Sequence, residues 1–384
     1  MDKVSTLLER ARLANGYDDF GSEDYREGLE RLVSSIDAEA RLNEQGRGFA
    51  EHQIVELLGW RLQVEHWYAI HPEIEAEEIV APLIGLGLPR TGSTAFHCML
   101  AEDPAVRSLR AWESSAPCPP PEAATEHSDP RIAEQAARMS FMDGLAPRLK
   151  MMLPISPTAP TECQYYMGYD FKSQIFQASL RIPAYVHWLN NDADLVPTYR
   201  YVKRILKLLQ WRCPPNRWRL KNPSHILFIE ALDEVFPDAR YWMTHRDITK
   251  VMPSVIDLYI ELSRPFTDSL DVGYISKMNI DWTDQGLHRI AAFRQNGNED
   301  RFFDIAFSEF RHDPMPVIER LYDSLGEPLA DTTRERMIAW QHNTPADKHG
   351  RYEYDPAALG FDMAELRSRF SFYDHEQGAV QPAA

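Results

Sequence analysis

The chain has 384 residues, of which 44% are hydrophobic and 26% are charged, so it can bury a core of ordinary size and is not expected to be disordered. Its 58 acidic residues outnumber 41 Lys and Arg residues, and the formal net charge of −17 argues against nucleic acid or an anionic membrane as a general partner. Any anionic ligand must therefore meet a local cluster of positive side chains.

The four cysteines form no CxxC pair and have no histidines at metal spacing, so neither a disulfide framework nor a metal site is expected. The N-terminal sequence MDKVSTLLERARL mixes charges at helical spacing and lacks the apolar core of a signal peptide. The best apolar run, residues 79–88, is about half of the ~20 residues that span a bilayer. We therefore expect a cytoplasmic protein without a membrane span.

The first 75 residues are predicted to be helical. Apolar side chains recur there at helical spacing in two series: Leu29, Leu32, Val33 and Ile36, and then Ile54, Leu58 and Leu62. We interpret residues 1–75 as a helical extension packed on a main domain of residues 76–375, with residues 376–384 as a flexible tail.

Repeated strand-then-helix patterns begin with the apolar run at 79–88, which leads through a glycine-containing turn into an amphipathic segment. Three later segments have the composition of strands: 217–221, 239–246 and 301–307. Helical patterns follow the first two of these, at 224–236 and 247–262, which predicts a parallel sheet. The expected fold class is α/β, with a P-loop-like central parallel sheet flanked by helices, an added N-terminal helical region and helical insertions.

Two segments between the first two predicted strands have unusual compositions. Residues 117–130 are rich in proline and are predicted to form a surface loop or lid. Residues 139–188 are dense in Met, Tyr, Phe and Pro, which suits either the walls of an apolar acceptor pocket or the aromatic core of inserted helices.

The sequence GLPRTGST at residues 87–94 has the glycine spacing of a phosphate-binding loop. An NTPase requires a lysine after the second glycine, but Ser93 stands there and the positive charge lies at Arg90. Such a loop suits a phosphosulfate, whose terminal sulfonate carries less charge than a γ-phosphate and needs no metal clamp. Alone, the spacing would also fit a merely structural turn.

Residues 87–104 resemble the 5′-phosphosulfate loop of the sulfotransferases that use 3′-phosphoadenosine-5′-phosphosulfate (PAPS). The bacterial and Golgi-type members are most similar, because they carry Arg where the cytosolic type carries Lys. The resemblance implies that five residues hold the 5′-phosphosulfate: Arg90, Thr91, Gly92, Ser93 and Thr94. The cytosolic type has Trp where this chain has Ala95, so the side chain that covers the adenine is not identified.

Residues 236–255 resemble the 3′-phosphate motif of the same family, in which an Arg at a strand end and a Ser eight residues later share the ribose 3′-phosphate. The corresponding pair here is Arg246 and Ser254. Near the C-terminus, DKHGR at 347–351 resembles more weakly the basic segment that closes over this phosphate. It implies roles for Lys348, Gly350 and Arg351, although a solvated basic turn is an equal alternative.

Transfer of a sulfuryl group to an alcohol needs positive charge along the breaking bond and a base for the hydroxyl proton. Arg90 and Lys221 are the candidates for the first task, since Lys221 ends a predicted strand and resembles the strand-end lysine of the family. The resemblance implies that Lys221 contacts the transferring group.

Two residues are candidates for the base, and Glu113 is favoured over His225. Glu113 resembles the catalytic glutamate of Golgi-type tyrosylprotein and related bacterial sulfotransferases, with a helix-capping carboxylate as the alternative. His225 follows Lys221 by four residues, whereas the cytosolic type has a spacing of two, and it could instead cap a helix. Glu162 and Asp170 are further carboxylates that the sequence does not rank, and structural roles are expected for both.

The resemblance implies a sulfotransferase that moves a sulfuryl group from PAPS to a hydroxyl of a small-molecule or lipid-like acceptor, without a metal. A P-loop-type small-molecule kinase is one alternative, but it lacks the loop lysine and a clear magnesium aspartate. A catalytically inactive nucleotide-binding protein is another. The intact set of Arg90, Lys221, Arg246 and Ser254 argues against such decay.

Overall fold

The computed structural model describes residues 2–153, 156–215, 217–344, 359–374 and 379–380. The α-helices, in chain order, are α1 Lys3–Asn15, α2 Tyr25–Glu39, α3 Glu44–Ile70, α4 Ser93–Leu100, α5 Ala111–Ser115, α6 Arg131–Leu145, α7 Leu149–Met152, α8 Gln164–Met167, α9 Pro183–Asn191, α10 Val196–Gln210, α11 Ile229–Val235, α12 Ile248–Ser263, α13 Val272–Phe293, α14 Phe307–His312, α15 Pro314–Leu325, α16 Asp331–Asn343 and α17 Met363–Arg369. The strands are β1 Leu83–Gly87, β2 Arg219–Lys221, β3 Arg240–His245, β4 Phe302–Ala306, β5 Tyr373–Asp374 and β6 Ala379–Val380.

Four parallel strands form the central sheet, in the order β2-β1-β3-β4. Each predicted strand segment contains one of them. In the register of the sheet, Gly85 lies opposite Lys221 on one side and Trp242 on the other. The predicted fold class is confirmed.

Both faces of the sheet are covered, which explains why its strands read as nearly continuous apolar runs. Side chains alternate between the faces. Ile84 and Met243 join the larger core, whereas Leu83 and Trp242 join a second core together with Phe96 of α4. The sheet is therefore the middle of three layers, with its loops exposed at the ends of the strands.

The N-terminal helices pack on the rest of the chain, and a buried arginine connects them to it. Arg61 of α3 is fully buried, donates from Nε to the Phe20 carbonyl at 2.6 Å and pairs with Asp170 at 3.3 Å. Asp170 lies between α8 and α9, so the candidate carboxylate that the sequence left open serves this pairing. The predicted boundaries at residues 75 and 376 stay predictions.

Most aromatic side chains of the segment 139–188 belong to the larger core. The fully buried ones include Tyr166, Tyr169, Phe171, Phe176 and Tyr185. The core alternative therefore describes most of this segment better than an acceptor pocket does. Helix α6 is different, because its Phe141 is 67% exposed and only Arg131 of the helix is buried.

Other local predictions hold with small changes. Residues 117–130 contain no helix or strand, but Pro117, Cys118, Pro120 and Pro121 are buried, so the surface loop is confined to residues 122–130. Helix α15 ends before Gly326, whose φ of 67° is the left-handed conformation typical of a C-terminal glycine. The helix predicted at 224–236 is split into a 3₁₀ helix, Pro223–Leu227, and α11. None of the helices in the described ranges is long and apolar enough to cross a membrane.

Two glycines of α3 test how tightly this helix packs against the 3₁₀ helix Arg264–Phe266, which follows α12. A Cβ atom at Gly46 would lie 2.2 Å from the Phe266 carbonyl oxygen, whereas one at Gly48 would meet nothing within 4 Å. We expect Gly46→Ala to lower the free energy of unfolding by about 1–3 kcal/mol through overpacking. We expect Gly48→Ala, the matched control, to raise it by about 0.5–1 kcal/mol through helix propensity. Urea denaturation measures both, and equal effects would contradict the close packing.

Candidate active site

The loop between β1 and α4 lies at the carboxyl edge of the sheet, where parallel sheets bind their ligands. Arg90 and Gly92 both have left-handed backbone conformations, with φ of 64° and 86°. The hydroxyl of Thr91 donates to the Leu88 carbonyl at 2.6 Å and lies 2.5 Å from the hydroxyl of Thr244 on β3. The loop is therefore tied to the neighbouring strand, and the predicted ligand Thr91 has its side chain fully occupied in this way.

The N-terminus of α4 is open to the loop, because no side chain caps it. Gly92 is its first flanking residue, and a Cβ atom there would lie 3.1 Å from the Phe307 ring. Ser93 is buried and Thr94 is exposed at the start of the helix. Uncapped N–H groups and the helix dipole favour an anion at this position.

Two arginines converge beside the loop. Arg90 donates from Nε to the Ser254 hydroxyl at 3.0 Å and from Nη1 to the Met152 carbonyl at 2.6 Å. Arg246 donates from Nη1 to the Arg90 carbonyl at 2.8 Å, and its guanidinium lies 4.4 Å from the centre of the Phe307 ring. The pair implied by the family resemblance, Arg246 and Ser254, is thus brought together around Arg90.

The charge of this cluster suits a bound anion. Burial, and secondarily the neighbouring Arg246, lower the pKa of Arg90 from its usual value. In the described parts of the chain, no carboxylate lies within 4 Å of the Arg90 guanidinium. A phosphate would stabilise both guanidinium groups through charge-assisted hydrogen bonds. The residues present therefore fit the phosphates of a nucleotide.

Lys221, at the end of β2, forms an ion pair at the same edge of the sheet. Its Nζ lies 2.6 Å from Oε1 of Glu162 and 3.3 Å from the Thr94 hydroxyl, and its side chain is only 5% exposed. The Cys163 backbone N–H donates to the Lys221 carbonyl at 3.0 Å, which holds the two segments together. The Gln164 amide donates to the other Glu162 oxygen at 2.5 Å. An amine and a carboxylate therefore lie together beside the loop.

Burial and the charges of this pair shift the pKa values of neighbouring groups. Burial, with Glu162 second, raises the pKa of Tyr259, and burial together with the nearby Lys221 lowers the pKa of His97 to about 3. His97 on α4 hydrogen-bonds the Arg219 carbonyl at 3.0 Å, so this imidazole is a neutral core group.

Glu113, the predicted base, is buried and has both oxygens occupied. Oε1 accepts from Arg107 Nη2 at 2.5 Å, and Oε2 accepts from the Arg110 backbone N–H at 2.9 Å, which closes a capping box at the start of α5. These contacts match the capping alternative. The carboxylate that accompanies Lys221 is Glu162, and the role of Glu113 as the base stays a prediction.

His225, the other candidate base, is also buried. Its Nδ1 lies 2.8 Å from the Tyr199 hydroxyl, and its Nε2 has no partner in the described structure. Burial lowers the pKa of His225 to about 3. It does not cap a helix through its side chain, because Asn222 caps the 3₁₀ helix that contains it.

Three predicted residues, Lys348, Gly350 and Arg351, lie outside the described residues. Within the described ranges, no group of three or more His, Cys, Asp or Glu side chains is arranged to hold a metal ion.

Comparison with known proteins identifies the family. The sulfotransferase family model matches residues 82–331, more than half of the chain. This chain belongs to the sulfotransferase family. The crystal structure of sulfotransferase STF9 from Mycobacterium avium superimposes with a TM-score of 0.88 at 32% identity, covering 96% of this chain and 94% of that one. Sulfotransferase STF1 from Mycobacterium tuberculosis gives 0.83 at 27% identity, covering 96% and 98%.

A curated relative covers much less. Omega-hydroxy-beta-dihydromenaquinone-9 sulfotransferase Stf3 of Mycobacterium bovis is 34% identical over 114 residues, which is 28% of this chain. The chain spans 28% of the length of that relative. The family resemblance stated from the sequence motifs is confirmed.

Several residues that shape this sulfotransferase site were not predicted from the sequence. Thr244 anchors the loop, Phe307 borders both Gly92 and Arg246, and Met152 supplies a carbonyl to Arg90. Thr244 and Phe307 carry a positional signal, since each lies at the carboxyl end of a predicted strand. Met152 carries none, because its contact spans 62 residues of chain.

The acid dependence of stability tests the burial of His225. Unfolded His binds a proton below about pH 6.5, whereas the folded imidazole stays neutral, so acidification lowers the free energy of unfolding. The slope is about 1.4 kcal/mol per pH unit for one such group. His225→Asn, which keeps an acceptor for Tyr199, should lose this share of the slope between about pH 5.5 and 4, measured by urea denaturation. An unchanged slope would mean that folded His225 accepts protons, which would restore it as a base candidate.

Proposed function

We propose that the chain transfers a sulfuryl group from PAPS to a hydroxyl of a lipid-like or other small acceptor. The observation that carries this proposal is the position of the Lys221–Glu162 pair beside a loop whose arginines suit phosphates. Membership of the sulfotransferase family supports the donor. A kinase would need the loop lysine that Ser93 replaces.

The donor site is assigned to the loop and the arginine cluster. Gly92, Ser93 and Thr94 would bind the 5′-phosphosulfate through the open start of α4, where N–H groups point at the ligand. Arg246 and Ser254 would bind the 3′-phosphate, and Arg90 lies between the two groups of residues. PAPS would supply the activated sulfuryl group.

Lys221 and Glu162 are assigned to the chemistry. Lys221 would turn from Glu162 to the bridging oxygen, where negative charge develops as the bond between sulfur and that oxygen breaks. Glu162 would then accept the acceptor hydroxyl proton at Oε1 as the new oxygen–sulfur bond forms. The electron pair of the broken bond leaves with 3′-phosphoadenosine 5′-phosphate, and the acceptor becomes a sulfate ester. Charge and protons balance without a metal.

Glu162 is assigned as the base because of its solvent exposure and the nature of its ion pair, as well as its position beside Lys221. Its side chain is 22% exposed and its main partner is an amine that the donor can attract away. Glu113 is 1% exposed and is paired with Arg107, which is itself buried. Removing a proton through Glu113 would require breaking a buried ion pair, which costs about 3–5 kcal/mol.

The acceptor is proposed to approach from the side of α6, α7 and α12. Met152 packs with Leu258 in a small apolar cluster next to Arg90, and Phe141 is exposed on α6. A cavity of about 380 Å³ lies between the turn after α6 and the end of α12. The walls of this cavity combine apolar side chains with the charged Arg148, Glu261 and Arg264. The apolar cluster suits a lipid-like alcohol, and the relative Stf3 carries a menaquinone derivative in its name.

The cytoplasm is proposed as the location, on the support of four free cysteines. The acidic net charge of −17 supports small-molecule partners over nucleic acid.

Product binding tests the donor assignment. We expect 3′-phosphoadenosine 5′-phosphate to raise the melting temperature in the presence of EDTA, because a ligand that binds only the folded state stabilises it by mass action. ATP with Mg²⁺ should raise it less. Thermal-shift titrations measure both, and a strong effect of ATP without one of the 3′-phosphorylated nucleotide would favour the kinase alternative.

Paired substitutions test the base. Glu162→Gln keeps the size and hydrogen bonding of the side chain but removes the proton acceptor, so kcat should fall by about 10²–10⁴ while product binding persists. Glu113→Gln should lower the melting temperature and leave kcat within a few-fold of wild type, because it weakens only the pairing with Arg107. Kinetics with labelled PAPS measure the difference. Loss of kcat in the folded Glu113 variant alone would return the base to Glu113.

A further inference from the structure

A hydrogen-bonded network of side chains lies at the end of β3. His245, whose side chain is fully buried, places Nε2 2.7 Å from Oδ1 of Asp304 on β4. Its Nδ1 lies 3.0 Å from the hydroxyl of Tyr373 on β5. The imidazole therefore connects two neighbouring strands of the sheet to a segment more than 120 residues away in sequence.

Arg294 extends this network by binding Asp304. It donates from Nη1 to Asp304 Oδ1 at 2.9 Å and from Nη2 to Oδ2 at 2.6 Å, and Glu299 binds its other edge. Burial alone would raise the pKa of Asp304, but hydrogen bonds from His245 and Arg294 outweigh it and lower the pKa. The carboxylate is thus ionised and accepts only, so Nε2 of His245 must be the donor. The ring orientation is fixed by two partners.

His245, the last residue of β3, lies between two residues that contact the loop, Thr244 within the strand and Arg246 directly after it. Thr244 binds the Thr91 hydroxyl, and Arg246 donates to the Arg90 carbonyl. The orientation of Arg246 depends on the backbone that His245 anchors. A backbone shift at this strand end would move the guanidinium away from a fixed phosphate. Nothing in the chemistry proposed above uses this imidazole.

We propose that His245 is a positioning residue for recognition of the 3′-phosphate of the donor. Through Asp304 and Tyr373 it holds the end of β3 so that Arg246 is preorganised for that phosphate. The inference rests on the proposed function, because it takes Arg246 as the residue that binds this group. It predicts that the network acts on the preference for a 3′-phosphate and not on nucleotide binding in general.

The test compares two nucleotides that differ only in that phosphate. Calorimetric titration gives the dissociation constants of 3′-phosphoadenosine 5′-phosphate and adenosine 5′-monophosphate, and their ratio is the preference. The variants are His245→Gln, which retains a donor for Asp304, and Tyr373→Phe, which removes one hydroxyl. Tyr322→Phe is the matched control, since this buried hydroxyl binds Asp103 at 2.8 Å on the other side of the sheet.

We expect the preference to fall about two- to tenfold in both network variants, as for a lost hydrogen bond between uncharged groups, and to stay unchanged in Tyr322→Phe. Arg246→Ala should lower it about ten- to a hundredfold. An unchanged preference in folded Tyr373→Phe and His245→Gln overturns the inference, as does an equal weakening of both nucleotides. If the wild type itself shows no preference, the donor assignment fails instead.

Discussion

The attachment of the β1–α4 loop to β3 is the interaction on which the site depends. Thr91 and Thr244 join hydroxyl to hydroxyl, and Arg246 donates to the Arg90 carbonyl from the same strand end. Both contacts hold a loop whose Arg90 has a positive φ, a conformation that costs a non-glycine residue about 1–2 kcal/mol. The neighbouring strand therefore stabilises a shape that the loop would not keep alone.

This arrangement also resolves an electrostatic problem. A protein with a net charge of −17 repels nucleotide phosphates at long range, so binding must come from charges at short distance. Arg90 and Arg246 lie side by side, and burial with this neighbour lowers the pKa of Arg90. Lys221, in contrast, is neutralised by Glu162. The site thus combines a region that favours an anion with a pair that an anion can separate.

The two carboxylates illustrate why the site could be predicted only in part. Glu113 and Glu162 both lie in segments between predicted elements of the fold, and the sequence does not show which side chains each carboxylate contacts. Glu113 is paired with Arg107, six residues earlier, and accepts a hydrogen bond from the Arg110 backbone amide. Glu162 reaches Lys221 across 59 residues because the Cys163 backbone bonds to the same lysine. The choice between them is a matter of tertiary contacts.

The sequence alone determined the fold class, the four parallel strands and the glycine loop, because these follow from local apolar patterns and from short-range spacing. The resemblance to the family's 3′-phosphate motif also paired Arg246 with Ser254, and a spacing of eight residues from a strand end into a helix is consistent with that pairing. Only the tertiary structure decided which carboxylate faces Lys221, that His225 is buried, and that most aromatic residues of 139–188 are core. These outcomes depend on packing between segments that are distant in sequence, and local pattern carries no record of such contacts.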